Sequence, residues 1–325
     1  AIADSVQAWV TAHHGTVTMT ENQKRQAMIP EGAAIFDNEA GTAPGVAMQG
    51  GGKNLVHLPG PPSEMRWMYE NRLKPWLLKT FGSQGSIRSL YIKIYDMGEA
   101  FIEERLMDLV KDQSNPTLAM YARPGFVEVR LTARADSEEQ AEALLEPLEE
   151  EVRSRLNDQI VSFNDETMAD VLGREVRQAG YIVSAAESCT GGLIGSLITD
   201  IPGASDYFRG SAGTYCNEMK EKLLGVSHET LERYTAVSAE TAAEMADGSR
   251  RLYGSDIAVS TTGIAGPGGG TEEQPVGLVY TGVSGPWGTL VHRDVYHGGR
   301  AEIKRRAAVR AIYYVVRYLV NHKNK

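Results

Sequence analysis

From about residue 165 onward, three stretches of this chain leave an apolar run and enter a turn of small residues and glycine. The first is Ala186-Glu187-Ser188-Cys189-Thr190-Gly191-Gly192, which follows a strand expected over Tyr181 to Ala185 and opens a helix expected from Thr190. The second is Gly213-Thr214-Tyr215-Cys216-Asn217-Glu218-Met219-Lys220, where a strand over 210–216 ends and Asn217 is placed to cap a helix. The third, Thr261 to Gly270, follows a strand over 256–262 and holds five glycines within eight residues. So much glycine calls for backbone paths that other residues avoid. Further strands are expected at 276–284 and 289–297, and helices over Met168 to Gln178 and Arg300 to about Asn321. Ile303, Ala307, Ala311, Val315 and Leu319, four residues apart, give the last helix a buried stripe. Strands alternating with helices predict an α/β sandwich with any site at strand ends where helices begin.

Two further regions precede it, so the fold class is α/β and α+β multidomain, divided at 1–85, 86–160 and 161–325. In the second, Arg88 to Tyr95 alternates like a strand and Ala100 to Val110 has helical spacing. Two strands, 117–123 and 126–134, flank a turn at Pro124-Gly125, and Ser137 caps an acidic helix reaching about Leu156. This order predicts a small split α+β module, followed by a polar-flanked joint over 160–166. The first region opens at Ala1 inside a helical pattern (Val6, Trp9, Val10), as expected of a trimmed piece of a longer protein. Val46 to Met48 and Leu55 to Leu58 read as a hairpin around a glycine-rich loop, and Ser63 as the N-cap of a helix carrying Met65, Met68, Tyr69 and Leu73.

Composition excludes several classes. Lys and Arg number 33 against 42 Asp and Glu, and a net charge of -9 repels a polyanion, so no nucleic-acid partner is expected. The two cysteines, Cys189 and Cys216, make neither a disulfide framework nor a metal knuckle, which fits a cytoplasmic protein. No apolar run reaches membrane-spanning length and no signal peptide opens the chain.

The chemistry the three blocks allow is open on pattern alone. The first is a phosphate cradle, an oxyanion hole or a plain tight turn capped by Ser188 or Thr190. The second places Lys220 in a helix's first turn, where the dipole disfavours a cation; a solvent-facing lysine is the alternative. The third either wraps a ligand or is an exposed loop.

Taken together and in order, the three blocks, with Pro275-Val276-Gly277, Val237-Ser238 and the last helix, resemble the C-terminal domain of the CinA family, the nicotinamide mononucleotide deamidases. Gly41-Thr42-Ala43-Pro44-Gly45 and Leu58-Pro59-Gly60-Pro61-Pro62-Ser63-Glu64-Met65 resemble the end of that family's N-terminal domain, a molybdopterin-binding-like fold, here partial. The second region resembles its middle module. That N-terminal domain is linked to a divalent-metal-dependent ADP-ribose pyrophosphatase activity, but the Gly-Thr-Glu and Thr-Gly-Gly-Leu-Gly-Pro-Thr segments that open it are not in this sequence.

The resemblance implies Ser188 as nucleophile, Lys220 as its general base and Tyr215 as an aid to positioning. Thr190, Gly191, Gly192, Thr214, Asn217, Gly263, Ala265 and Gly266 become the expected substrate contacts. It implies no cofactor or metal for the deamidation, and a homodimer. A serine hydroxyl needs a base. A free lysine, with a pKa about 10.4, is neutral in roughly one molecule per few thousand at pH 7, so the fold must sequester it. Cys189 is a rival nucleophile, with no histidine near in sequence to activate it. The alternatives are pyrophosphatase action through the first region and a non-catalytic nucleotide-binding, competence-related role.

Overall fold

The computed structural model describes residues 28–322, apart from 83, 84, 96, 112 and 124, together with a few isolated earlier positions. The helix expected around Val6, Trp9 and Val10, and Pro124 of the expected turn, lie outside them. The chain divides into two compact units, Ala1–Ser86 and Ile87–Lys325.

In the first unit, β1 (Ala34–Phe36), β2 (Gly45–Gly50) and β3 (Lys53–His57) form an antiparallel sheet in that order. The hairpin loop is shorter than expected, because Gly51 and Gly52 both take positive φ (57° and 73°) and close a two-residue turn. Helix α1 (Pro62–Met68) passes through a π-helical turn into α2 (Lys74–Phe81). Ser63 does not cap it. The helix starts two residues earlier than that cap would set, with Pro61 at the N-cap, Pro62 supplying a fixed φ at the first position and no side-chain cap. Phe36, Ala47, Met68 and Leu73 form the small core.

The second unit opens with β4 (Ser86–Ile94), α3 (Glu99–Lys111), β5 (Thr117–Arg123), β6 (Phe126–Ala135) and α4 (Glu138–Leu156). This is the strand-helix-strand-strand-helix order read from the sequence, and Ser137 caps α4 by accepting from Gln140 N at 3.2 Å. The joint after it is instead partly a strand. β7 (Ile160–Phe163) pairs antiparallel with β4, and the sheet order is β5-β6-β4-β7. Ile160 and Phe163 pack against the same core as Ile92 and Val152, an apolar gain its polar flanks conceal.

The remaining elements are α5 (Met168–Ala179), β8 (Val183–Glu187), α6 (Leu193–Thr199), β9 (Phe208–Gly213), α7 (Asn217–Leu224), α8 (His228–Tyr234), α9 (Ala239–Tyr253), β10 (Ile257–Gly263), β11 (Leu278–Gly285), β12 (Gly288–Val295) and α10 (Arg300–Val320). The five strands form one mixed sheet in the order β12-β11-β10-β8-β9; β8, β9 and β10 run parallel, and β11 and β12 antiparallel. Side chains alternate across it. Val183, Ala185 and Val259 pack with α5, α6 and α10, whereas Ala186 and Ala212 pack with α7, α8 and α9. The result is an α/β sandwich. Among the described residues no helix is long and apolar enough to cross a membrane.

Helix α9 packs on both α7 and the sheet, and glycine permits it. A Cβ added at Gly248 would stand 2.1 Å from the Leu224 carbonyl oxygen that ends α7. Gly248→Ala is therefore expected to destabilise the fold by about 1–3 kcal/mol through forced separation of the two helices. An unchanged urea midpoint would contradict that packing.

Candidate active site

Because β8, β9 and β10 are parallel, their C-terminal ends share one edge of the sheet, where α/β sheets place ligands. The three small-residue blocks are the chain leaving those ends.

After β8 the expected helix start at Thr190 is displaced. Residues 188–192 form turns, Gly191 and Gly192 take φ of 63° and 95°, and α6 begins at Leu193. The cause is Glu187, whose side chain is fully buried. Its Oε2 accepts from Gly192 N at 2.9 Å, Ile194 N at 3.0 Å and Thr190 Oγ1 at 2.8 Å. Its Oε1 accepts from Gly195 N at 2.9 Å and Ser211 Oγ at 2.7 Å. A carboxylate is the favoured group at a helix N-terminus, and here the protein supplies its own. Gly192 is thereby corrected as a substrate contact, since its amide holds Glu187, and of Thr190 the hydroxyl is committed in the same way while the amide is not. Gly191 N donates back to Ser188 O at 3.2 Å, and Lys304 reaches over it.

Ser188 follows directly. Its N–H donates to Thr261 O of β10 at 3.0 Å, which leaves the hydroxyl facing the cleft. After β9, Thr214 N donates to Glu187 O at 2.8 Å and Cys216 takes the N-cap position of α7, with no side-chain cap. Asn217 is thus the first helical residue rather than the cap, and it is exposed. Lys220, one turn on, is 1% exposed. Its Nζ donates to Thr214 O at 2.9 Å and lies 3.2 Å from Ser188 Oγ. Among the described residues no carboxylate pairs with it. Desolvation holds its pKa below the usual lysine value of 10.5; the Cys216 and Cys189 thiols act weakly the other way. Thr214 reaches this pair through its carbonyl, and its buried hydroxyl has no hydrogen-bond partner among the described residues.

After β10, Ile264 N donates to Leu278 O at 2.8 Å and Gly277 N to Ile264 O at 2.7 Å, pinning both feet of the glycine loop. The loop, Ser188 and Lys220 enclose a cleft of about 300 Å³ that Gly263, Ala265, Gly266 and Tyr215 also line. Tyr215 is 67% exposed, and its hydroxyl accepts from Arg300 Nη2 at 3.0 Å rather than touching Ser188. Arg300 Nη1 also donates to Gly266 O at 2.7 Å. Sequence reading missed this guanidinium. The signal was present, since Arg300 is the first residue of α10, a cation at a helix start like Lys220. Of the expected residues, then, Ser188, Lys220, Tyr215, Gly263, Ala265 and Gly266 come together. Thr190, Gly191, Gly192, Thr214 and Asn217 do not line the cleft.

Cys189 also touches the cleft but packs with Val279, Ala307 and Tyr296. Burial pushes its thiol up to about 12, so it carries almost no thiolate at neutral pH.

The chain matches the family model of the CinA C-terminal domain over residues 165–319 and that of the KH domain of damage-inducible protein CinA over residues 89–162. A CinA-like protein of Kosmotoga olearia is 43% identical over 302 residues, covering 93% of this chain and 73% of the relative. A CinA-like protein of Dictyoglomus thermophilum is 42% identical over 306 residues, with 94% and 74% covered. The solved structure of competence/damage inducible protein CihA from Agrobacterium tumefaciens is 40% identical, with 47% of this chain and 93% of that chain covered and a TM-score of 0.46. The chain belongs to the CinA family. Its KH segment holds only Gly98 and Gly125, too far apart for the Gly-x-x-Gly loop with which KH modules clamp a nucleic-acid backbone.

Two outcomes test this geometry. Glu187→Gln turns an acceptor oxygen into a donor facing buried donors, so it should lower stability by about 1–3 kcal/mol, read from the denaturant midpoint; a neutral substitution would contradict the assigned hydrogen bonds. Iodoacetamide at pH 8 should label exposed Cys216 and leave Cys189 unmodified in the native chain. Equal labelling by mass spectrometry would contradict the burial of Cys189.

Proposed function

We propose that this chain hydrolyses the carboxamide of nicotinamide mononucleotide to nicotinate mononucleotide and ammonia. The observation that carries the reading is a fully buried lysine with no counter-ion among the described residues, 3.2 Å from a serine hydroxyl that faces a cleft.

A desolvated amine is held toward its neutral form, and only that form accepts a proton. The Thr214 carbonyl takes one N–H and so directs the Nζ lone pair toward Ser188 Oγ. Lys220 removes the hydroxyl proton as Oγ bonds to the carboxamide carbon. The resulting ammonium then protonates the departing nitrogen, and ammonia leaves an acyl-enzyme. Water, deprotonated by the same amine, attacks the ester carbon and releases the carboxylate and the serine. The amides of Cys189 and Thr190 have no hydrogen-bond partner among the described residues and follow the nucleophile, the position from which backbone donors hold an oxyanion. Arg300, with donors remaining beyond its bonds to Gly266 and Tyr215, and the unbonded amides of Ala265 and Gly266 suit the phosphate.

The test is ammonia release from the mononucleotide. Ser188→Ala should abolish it and Cys189→Ala should leave most of it; the reverse pattern would overturn the assignment. Lys220→Arg should also abolish turnover, since a guanidinium stays protonated. Mononucleotide binding without ammonia release would instead support a non-catalytic binding role.

The pH dependence has a definite sign. The base works deprotonated, so kcat/KM should fall as pH drops through the lowered pKa of Lys220 and level off below 10.5. A rate still climbing up to pH 10.5 would contradict a desolvated base.

A further inference from the structure

Helix α10 carries five cations in its first eleven residues, Arg300, Lys304, Arg305, Arg306 and Arg310, in a chain of net charge -9. Arg300 faces the catalytic cleft and Lys304 lies over Gly191. The other three line a separate cavity of about 470 Å³ where α10 meets the middle module. Tyr95 after β4, Gly125 at the β5–β6 turn, and Tyr296, Ala301 and Val309 complete its walls.

Among the described residues Glu302 is the only acid lining the cavity, and it is bonded to Arg306. Arg310 lies 3.9 Å from Asp294, a carboxylate that also accepts from Tyr314 Oη at 2.9 and 3.0 Å. Arg305 has no ion pair among the described residues. Cations gathered over apolar walls repel one another unless an anion joins them, and guanidinium groups match phosphate oxygens in pairs. The volume is that of a small-molecule site, and the tyrosine and aliphatic walls call for an apolar body beside the charge. We propose that this cavity binds a phosphate-bearing small molecule of nucleotide size, at a site distinct from the catalytic cleft.

Calorimetric titration with AMP, and with inorganic phosphate, tests it on the full chain without reference to turnover. AMP should bind saturably, and at least about tenfold more tightly than inorganic phosphate. Arg305→Glu should weaken AMP binding about tenfold or more, and Arg305→Lys, which keeps the charge but loses the paired geometry, should weaken it by less than Arg305→Glu does. Arg300→Ala, which alters only the cleft, should leave AMP binding intact. Loss of binding in Arg300→Ala with none in Arg305→Glu would place AMP in the cleft and overturn the proposal. So would no saturable binding, or phosphate binding as tightly as AMP.

Discussion

The buried carboxylate of Glu187 is the interaction on which the site's geometry rests. It accepts from five donors, drawn from the turn after β8, the start of α6 and Ser211 of β9. Thr190, one of them, also shares a 2.8 Å hydrogen bond with Thr261 of β10. One carboxylate therefore ties together all three parallel strands whose ends form the cleft. Its neighbour in the chain is Ser188, so the direction of that hydroxyl is fixed by a network that never enters the cleft. The same carboxylate fills the α6 N-terminus, so under the proposed function the substrate phosphate falls to Arg300 and to amides without a hydrogen-bond partner among the described residues.

Lys220 depends on the opposite arrangement. Burial of a cation is tolerated where a counter-ion compensates or where the group loses its proton. No carboxylate compensates here among the described residues, and the hydrogen-bond partners of Nζ are a carbonyl and a hydroxyl. The surroundings that lower the pKa of Lys220 thus also leave its lone pair with the Ser188 hydroxyl to act on. Cys189 experiences the same desolvation with the contrary effect, since its reactive form is the charged one. One environment disfavours the charged form of both the amine and the thiol.

Much of this was readable from the chain. Strands alternating with helices predicted an α/β sandwich with a site at strand ends where helices begin, and the four-residue stripe of α10 from Ile303 to Leu319 predicted a buried helix. Other features depended on tertiary contacts that no local pattern announces. Glu187 looked like one more polar residue of a turn, because its partners at Gly195 and Ser211 are distant in sequence. The four-residue strand β7 was hidden between polar flanks and exists through pairing with β4. Helices α8 and α9 escaped notice although Ser227 and Ser238 cap them, because small residues such as Ala242 and Gly248 blur the apolar stripe. Arg300 broke the same dipole rule as Lys220 and was passed over because the helix it opens was read only for its stripe.

The protonation of Lys220 can be observed directly. Its Cε resonance, assigned by comparison with Lys220→Arg in a chain labelled with 13C at lysine Cε, is followed against pH. A single lysine titrating clearly below the others, and absent from the variant, is the predicted result. A Lys220 resonance that titrates together with the exposed lysines would contradict a neutral amine beside Ser188 and the mechanism built on it.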